Sequence, residues 1–288
     1  MGPSGDGKVG VTDPDFSHFR RLAHSRSGLV LGPDKAYLIM GRLDPIARAE
    51  GLAGVPALLA KLRAEAPEAL IQKCVHALAT HESSFFRDGA PFEALMAQVL
   101  PRLIAARQPQ RALRILCAAC SSGQEVYSIA ISLAELGAPL SGWRVEILGT
   151  DFSEPILLKA AAGLYSDFEV RRGLSPERLA RWFTEERGAW RVSPRLRQVV
   201  SFKLHNLLED SSALGLFDIV FCRNVLIYFD QTLKHQVLVD LGRLLRPDGA
   251  VFLGSAESIF GLGVGLEPIP GARGLFQKAV AARTIRTA

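Results

Sequence analysis

The chain has 288 residues, 48% of them hydrophobic and 22% charged, and carries a net charge of +5. A chain of this length and apolar content can bury a full core, which excludes an intrinsically disordered protein. Its apolar runs are shorter than the roughly 20 residues of a membrane span, and its start lacks a signal-peptide pattern. Its four cysteines are too few for a disulfide framework. We therefore expect a cytoplasmic protein.

The first part of the chain is predicted to be helical. Residues 1–14, rich in Gly, Pro and Asp, are predicted to form a disordered tail. Residues 15–90 show apolar side chains at helical spacing and no strand-like alternation, which predicts a small all-helical domain. Breaks between its helices are expected at Gly32-Pro33, Asp44-Pro45, Gly51 and Ala66-Pro67. Residues 91–112 are predicted to be a linker.

From residue 113 the pattern changes to alternating strands and helices. Strands are predicted at 113–118, 145–150, 217–222 and 250–254, and helices at 125–136, after Ser153 and at 232–245. This alternation is typical of an α/β domain with a parallel sheet, here spanning residues 113–288. An inserted β-hairpin is predicted at about 187–203, with arms at 190–192 and 199–202, and a closing antiparallel hairpin at 266–278.

The excess positive charge is confined to the second part of the chain. Residues 1–100 hold 11 basic and 11 acidic side chains, whereas residues 165–203 hold nine Lys/Arg against five Asp/Glu, and residues 101–115 add four Arg and no acid. Such stretches indicate an acidic partner, namely a nucleic acid, a membrane surface or a glutamate-rich protein. A basic but merely solvated surface is the alternative.

The candidate binding residues follow the predicted strands, because ligands of such sheets bind at the carboxyl ends of the strands. The loop after the first strand consists of small residues up to Gly123 and is neither G-x-G-x-x-G nor a P-loop. A nucleoside cofactor without a pyrophosphate, of which S-adenosylmethionine is the common one, fits better; an ordinary tight turn is the alternative. Asp151, after the second strand, could accept both ribose hydroxyls.

Other motifs carry less weight. Cys117 and Cys120 have redox or metal spacing, but no second pair completes a zinc site. His81-Glu82 is not a zincin motif because Phe85 occupies the place of the second histidine. There is no G-x-S-x-G hydrolase elbow, and the Asn/Asp-Pro-Pro-Tyr/Phe motif of base-modifying methyltransferases is absent. We therefore expect no metal and no nucleic-acid substrate.

Several motifs together resemble those of the chemotaxis receptor methyltransferases, the CheR family, over roughly residues 16–280. The motifs are Thr80-His-Glu-Ser-Ser-Phe-Phe-Arg-Asp88, Cys120-Ser-Ser-Gly-Gln-Glu-Val-Tyr-Ser128, Thr150-Asp151 followed by residues 160–165, Phe221-Cys-Arg-Asn-Val-Leu-Ile-Tyr-Phe-Asp230, Leu245-Arg-Pro-Asp-Gly249 and Gly254-Ser-Ala-Glu-Ser258. The resemblance implies a class I (Rossmann-like) S-adenosylmethionine-dependent methyltransferase domain that follows the small helical domain.

The resemblance also implies a reaction, in which the methyl group of S-adenosylmethionine moves to the γ-carboxylate of chemoreceptor glutamates. The products are a glutamyl methyl ester and S-adenosylhomocysteine. A class I methyltransferase of another substrate, or a non-catalytic regulator that binds S-adenosylmethionine, is the alternative. The expected partners are the cytoplasmic helices of chemoreceptors, and nothing in the sequence requires more than a monomer.

Residue roles follow from the same resemblance. The residues implied in cofactor binding are His81, Ser83, Arg87, Glu125, Asp151, Asn206, Leu207, Arg223 and Asn224, and those implied at the reaction centre are Arg87, Arg223 and Tyr228. The chain departs from the family pattern at His81 and Ser83, where Asn and Thr are usual, at Gln124, where Glu is usual, and at Ala119, where Gly is usual. The short turn Arg187-Gly188 and Pro194 argue against capture of a receptor tail peptide by the hairpin.

Overall fold

The helical unit contains four α-helices over the described residues: α1 Pro14–Ser27, α2 Ala36–Ala49, α3 Val55–Ala64 and α4 Glu68–Leu78. The computed structural model describes residues 14–279, so the predicted tail lies outside it except for Pro14, which begins α1. Phe16, Leu43, Leu58 and Cys74 are among the buried side chains of the unit's core. The helical prediction for this part of the chain is confirmed.

One predicted break is wrong, because Pro45 lies inside α2. Proline removes one backbone hydrogen bond from a helix, yet Leu43 and Ile46 on either side of Pro45 are buried in the core of the unit. The buried face therefore keeps the helix continuous. Within residues 14–279, no helix combines the length and apolar character that a membrane crossing requires.

A short segment from far along the chain, Tyr228–Asp230, groups with the helical unit. The Val30 amide donates to the Tyr228 carbonyl oxygen at 2.9 Å, and His24 Nε2 lies 2.9 Å from Asp230 Oδ2. Backbone and side chain thus both fix this segment within the unit.

The second unit is built on a seven-stranded sheet, as far as residues 14–279 show. Its strands are β1 Ala112–Ala118, β2 Arg144–Asp151, β6 Val200–Leu204, β7 Phe217–Cys222, β8 Leu245–Leu253, β9 Leu266–Pro268 and β10 Leu275–Lys278. The order is β6-β2-β1-β7-β8-β10-β9. The first five strands are parallel, and β10 alone runs against them, paired antiparallel with β8 and with β9, its partner in the predicted closing hairpin. All six residues of β7 are buried, as expected of a parallel strand covered on both faces. The α/β prediction is confirmed.

The helices of this unit include the predicted ones, α7 Gln124–Leu136, α8 Glu154–Ala162 and α12 Gln231–Leu244. The predicted linker is wrong in its first part, because α5 Ala90–Ala94, a π-helical turn Leu95–Val99 and α6 Leu100–Ala106 follow one another directly. Phe92, Leu95 and Leu103 from this stretch are buried in the main core. Pro101 favours a linker in the sequence, but it lies in the first turn of α6, where proline is tolerated. Residues 81–90 also belong to this unit and not to the helical one.

The inserted subdomain differs from the prediction. Three strands, β3 Leu164–Ser166, β4 Phe183–Glu186 and β5 Ala189–Val192, form a separate sheet in the order β3-β5-β4 within the described residues. The hairpin therefore joins β4 to β5 across Arg187 and Gly188, which both have positive φ, as a type I′ turn requires. Strand β6, predicted as a hairpin arm, instead pairs in parallel with β2.

Pro194 lies outside this ladder. It opens the short helix α11 Pro194–Arg197, and two further short helices, α9 Asp167–Arg171 and α10 Pro176–Trp182, connect the strands of the subdomain. The absence of a backbone donor at Pro194 therefore removes nothing from the hairpin.

Candidate active site

The loop after β1 is the tightest part of the candidate site. Ala119, Ser121 and Gly123 all have positive φ, and the Gly123 amide donates to the Cys120 carbonyl oxygen at 3.1 Å, which closes a tight turn before α7 begins at Gln124. A Cβ on Gly123 would lie 2.9 Å from Ala160 Cβ, which explains why a glycine stands there. The Ser121 hydroxyl is buried without a hydrogen-bond partner among the described residues. A buried polar atom of this kind fits a polar ligand in the loop.

Asp151 connects this loop to the end of β2. Its carboxylate is 4% exposed and accepts hydrogen bonds from the Ser121 amide at 2.9 Å and the Ser153 amide at 3.1 Å. These two hydrogen bonds fix the direction of the carboxylate at the end of β2. The parallel register brings the two loops together, because Ala118 pairs with Thr150 across β1 and β2.

Tyr165 supports the same loop from the three-stranded sheet. Its hydroxyl, fully buried, donates to the Ser122 carbonyl oxygen at 2.7 Å. The neighbouring Tyr127 hydroxyl donates to the Ala160 carbonyl oxygen at 2.9 Å. Burial raises the pKa of Tyr165 well above its usual value and that of Tyr127 to about 12, so both hydroxyls remain protonated donors.

Arg223, directly after β7, sits between two carboxylates. Its side chain is 1% exposed, and its guanidinium lies 2.6 Å from Glu125 Oε2 and 2.6 Å from Asp88 Oδ2. The same guanidinium donates to the Arg87 carbonyl oxygen at 3.1 Å. One side chain therefore fixes three separate parts of the chain to one another: residues 87–88, the first turn of α7 and the end of β7.

Glu125 is oriented from both sides. One carboxylate oxygen accepts from Arg223 and the other from the Cys117 thiol at 3.1 Å. Burial, the largest cause, raises the pKa of Cys117, Cys120 and Cys222 well above the ordinary value of a thiol. These thiols are thus protonated at neutral pH, unlike the thiolates that act as nucleophiles or metal ligands. No group of three or more His, Cys, Asp or Glu side chains within residues 14–279 is placed to hold a metal ion.

Asn206, Leu207 and Asn224 lie just after strand ends, whereas Arg87 lies in the segment before α5. The His205 amide donates to the Asp151 carbonyl oxygen at 3.0 Å, which brings Asn206 and Leu207 beside the end of β2. Asn224 follows Arg223 with φ +60°. The Arg87 guanidinium donates to the Glu82 carbonyl oxygen at 3.0 Å.

His81 and Ser83 are half-buried at the start of the unit. Tyr228 groups with the helical unit described above.

Three residues of the site were not singled out from the sequence. Asp88 pairs with Arg223, Tyr165 supports the loop after β1, and Glu257 accepts backbone amides after β7. Each lies in a motif quoted above, so the motifs themselves were the available signal. Their partners are distant in sequence, and only the fold brings them together.

Comparison with known proteins covers most of the chain. A family model described as the CheR methyltransferase SAM-binding domain matches residues 81–272, and one described as the CheR all-alpha domain matches residues 14–79. The chain is 41% identical over 257 residues to chemotaxis protein methyltransferase 1 of Pseudomonas aeruginosa, covering 87% of this chain and 92% of that one. It is 40% identical to a chemotaxis protein methyltransferase of Pseudomonas putida, covering 86% and 91%. The Escherichia coli chemotaxis protein methyltransferase is 33% identical, with 87% and 86% covered.

Proposed function

The chain belongs to the CheR methyltransferase family, and we propose that it transfers the methyl group of S-adenosylmethionine to glutamate γ-carboxylates of chemoreceptors. It is a protein-glutamate O-methyltransferase, and its products are the glutamyl methyl ester and S-adenosylhomocysteine. One observation carries this proposal: both family domains match in order, and full-length relatives named as chemotaxis methyltransferases align over nearly the whole chain.

The residues around the loop after β1 are those that would hold the cofactor. Asp151 accepts the ribose hydroxyls, and Glu125, oriented by Arg223, binds the methionyl amino group. Asn206, Leu207 and Asn224 line the adenine and sulfonium side. The buried Ser121 hydroxyl, and the buried Asp151 carboxylate that is fixed beside it by the Ser121 amide, support this assignment.

His81, Ser83 and Arg87 complete the assignment at the methionyl end. Ser83 keeps the hydroxyl of the usual threonine, and His81 keeps a polar side chain. Arg87 lies near the methionyl carboxylate or the incoming glutamate.

The chemistry needs alignment more than proton transfer. S-adenosylmethionine, when bound, supplies an electrophilic methyl group on a positively charged sulfur. A glutamate side chain has an unperturbed pKa near 4.3 and is already ionised at neutral pH, so no general base is required. The protein therefore orients the glutamate in line with the methyl–sulfur bond and excludes water. Tyr228 acts at the reaction centre, and Arg87 steers the carboxylate.

The partners follow from this reaction. We expect the acceptor glutamates on cytoplasmic helices of chemoreceptors and the enzyme therefore in the cytoplasm. The proposed reaction requires neither a metal nor a nucleic acid, and we expect a monomer. The two-residue turn between β4 and β5 leaves little room for a receptor tail, and we expect direct recognition of the methylated helices instead. Titration of a tail pentapeptide tests this, and micromolar affinity would contradict it.

The deciding experiment transfers labelled methyl groups from S-adenosylmethionine to receptor-enriched membranes. The expected product is an alkali-labile ester on receptor glutamates. Label on a small molecule or nucleic acid would favour another methyltransferase activity. Cofactor binding without any transfer would favour a non-catalytic regulator.

A further inference from the structure

Glu257 is a buried carboxylate that the proposed mechanism does not use. It is 8% exposed, and no cationic side chain among the described residues forms a salt bridge with it. A buried carboxylate without a cation is costly unless hydrogen bonds satisfy it. Backbone amides satisfy this one.

Four amides donate to the two carboxylate oxygens. Oε2 accepts from Gly254 at 2.6 Å and from Asn224 at 3.0 Å, and Oε1 accepts from Val225 at 2.9 Å and Leu226 at 2.7 Å. Hydrogen bonds to a charged acceptor are stronger than neutral ones. Glu257 therefore ties the end of β8 to the turn that follows β7.

That turn holds a strained residue between two site residues. Asn224 has φ +60°, a backbone conformation that only glycine adopts without cost, although asparagine tolerates it better than most residues. Strain of this kind persists only where the surrounding structure over-determines it. The amides of Asn224 and the next two residues are all held by Glu257.

Gly254 makes this close arrangement feasible. A Cβ on Gly254 would lie 2.8 Å from Glu257 Oε2 and 2.9 Å from both the amide nitrogen and the side-chain nitrogen of Asn224. These distances are shorter than van der Waals contact. A side chain at residue 254 would thus push Asn224 and the Glu257 carboxylate apart.

We propose that Glu257 is a positioning residue, which fixes the turn at residues 224–226 and thereby the directions of the Arg223 and Asn224 side chains. The inference rests on the proposed function, because it assigns these two side chains to the cofactor site. Arg223 in turn orients Glu125. Glu257 thus acts on the cofactor through Arg223 and Asn224, and it contacts neither the cofactor nor the substrate itself.

The test compares Glu257→Gln with a matched control, Glu267→Gln, in the full chain. Glu267 accepts from the Gln277 side chain on the closing hairpin and loses the same charge. We expect Glu257→Gln to weaken S-adenosylhomocysteine binding by ~10-fold and to speed amide hydrogen exchange at residues 224–226, while Glu267→Gln changes neither. Gly254→Ala, which keeps the carboxylate, should reproduce the loss of affinity.

Two outcomes would overturn the inference. One is unchanged affinity in a Glu257→Gln protein whose turn exchanges faster, and the other is equal loss of affinity in both glutamine variants. Binding and exchange do not depend on the methyl acceptor, so failure of the wild type to methylate receptors would count against the proposed function alone.

Discussion

Among single residues, Asp151 holds two backbone amides in place, and we propose that it also binds the cofactor. Its two oxygens hold the amides of Ser121 and Ser153, and we assign to it the ribose hydroxyls as well. Hydrogen bonds to charged groups are worth about 1.5–3 kcal/mol each. The side chain is therefore the one whose loss should most affect cofactor affinity.

We expect Asp151→Ala to weaken S-adenosylhomocysteine binding by ~10–100-fold, measured by calorimetry. Asp210→Ala is the matched control, because Asp210 also accepts the amide two residues ahead, that of Ser212 at 2.9 Å, on a turn that precedes β7. Unchanged affinity in Asp151→Ala, with the control also unchanged, would remove Asp151 from the site.

Tyr165 allows a similarly controlled test of the loop after β1. Tyr165→Phe and Tyr127→Phe each delete one buried hydroxyl that donates to a backbone carbonyl oxygen. Each should lower stability by about 0.5–1.5 kcal/mol, because one buried hydrogen bond is lost. The Ala160 carbonyl oxygen keeps a second donor, the Gly163 amide at 3.1 Å. Only Tyr165→Phe should also reduce cofactor affinity, by ~3–10-fold, because only its partner Ser122 lies in the loop. Parallel losses of affinity in both variants would show that general destabilisation is the cause.

At the scale of elements, the basic stretch of the subdomain is less available than its composition indicates. Arg191 pairs with Glu186 at 2.6 Å and also donates to the Ala162 carbonyl oxygen, and Arg197 donates to the Ala161 carbonyl oxygen. In residues 165–203, the exposed arginines that form neither a salt bridge nor a hydrogen bond to a carbonyl oxygen among the described residues are Arg181, Arg187 and Arg195. The positions of Arg181 and Arg195 are defined by the Trp182 ring, over which both pack.

Replacing Arg181, Arg187 and Arg195 with Ala should raise the KM for receptor ~3-fold at low salt and leave cofactor affinity unchanged. Low salt is needed because 0.1 M salt screens exposed charges beyond about 10 Å. A variant without Lys234, Arg243 and Arg273 loses the same charge elsewhere in the unit and is the control. If the KM rises equally in both, net charge and not the subdomain attracts the receptor.

At the scale of the whole molecule, the boundary between the units lies earlier than the sequence indicated. Phe92, Leu95, Val99 and Leu103 are buried in the core of the second unit. Full burial of one such side chain contributes about 1.5–3 kcal/mol, and domains have a net stability of about 5–15 kcal/mol. A cut inside the predicted linker would therefore remove much of what stabilises the catalytic unit.

We expect a chain that begins at residue 105 to be unfolded by circular dichroism and to bind no S-adenosylhomocysteine. A chain that begins at residue 81 keeps this core and should unfold cooperatively, but it should not methylate receptors because it lacks the helical unit. Receptor methylation at the full rate by the longer fragment would show that the helical unit is dispensable.

Features that depend on near neighbours could be predicted from the amino-acid sequence. Apolar periodicity placed the strands at β1, β2 and β7 within one residue of their observed ends, and turn residues placed the closing hairpin. Motif order indicated the family, and the position of Asp151 after a strand indicated its place at the edge of the sheet. These predictions succeed because helices, strands and strand ends are set by residues a few positions apart.

Contacts between distant segments could not be predicted in this way, because they depend on the fold. The Arg223 pairs span 98 and 135 positions of sequence, and Glu257 reaches a turn 31 to 33 positions away. The arms of the hairpin were misassigned because β6 is a strand of suitable length whose true partner, β2, lies far back in the chain. Local patterns show that a segment is extended or that a carboxylate is buried, whereas the identity of its partner depends on how the sheet brings strand ends together in space.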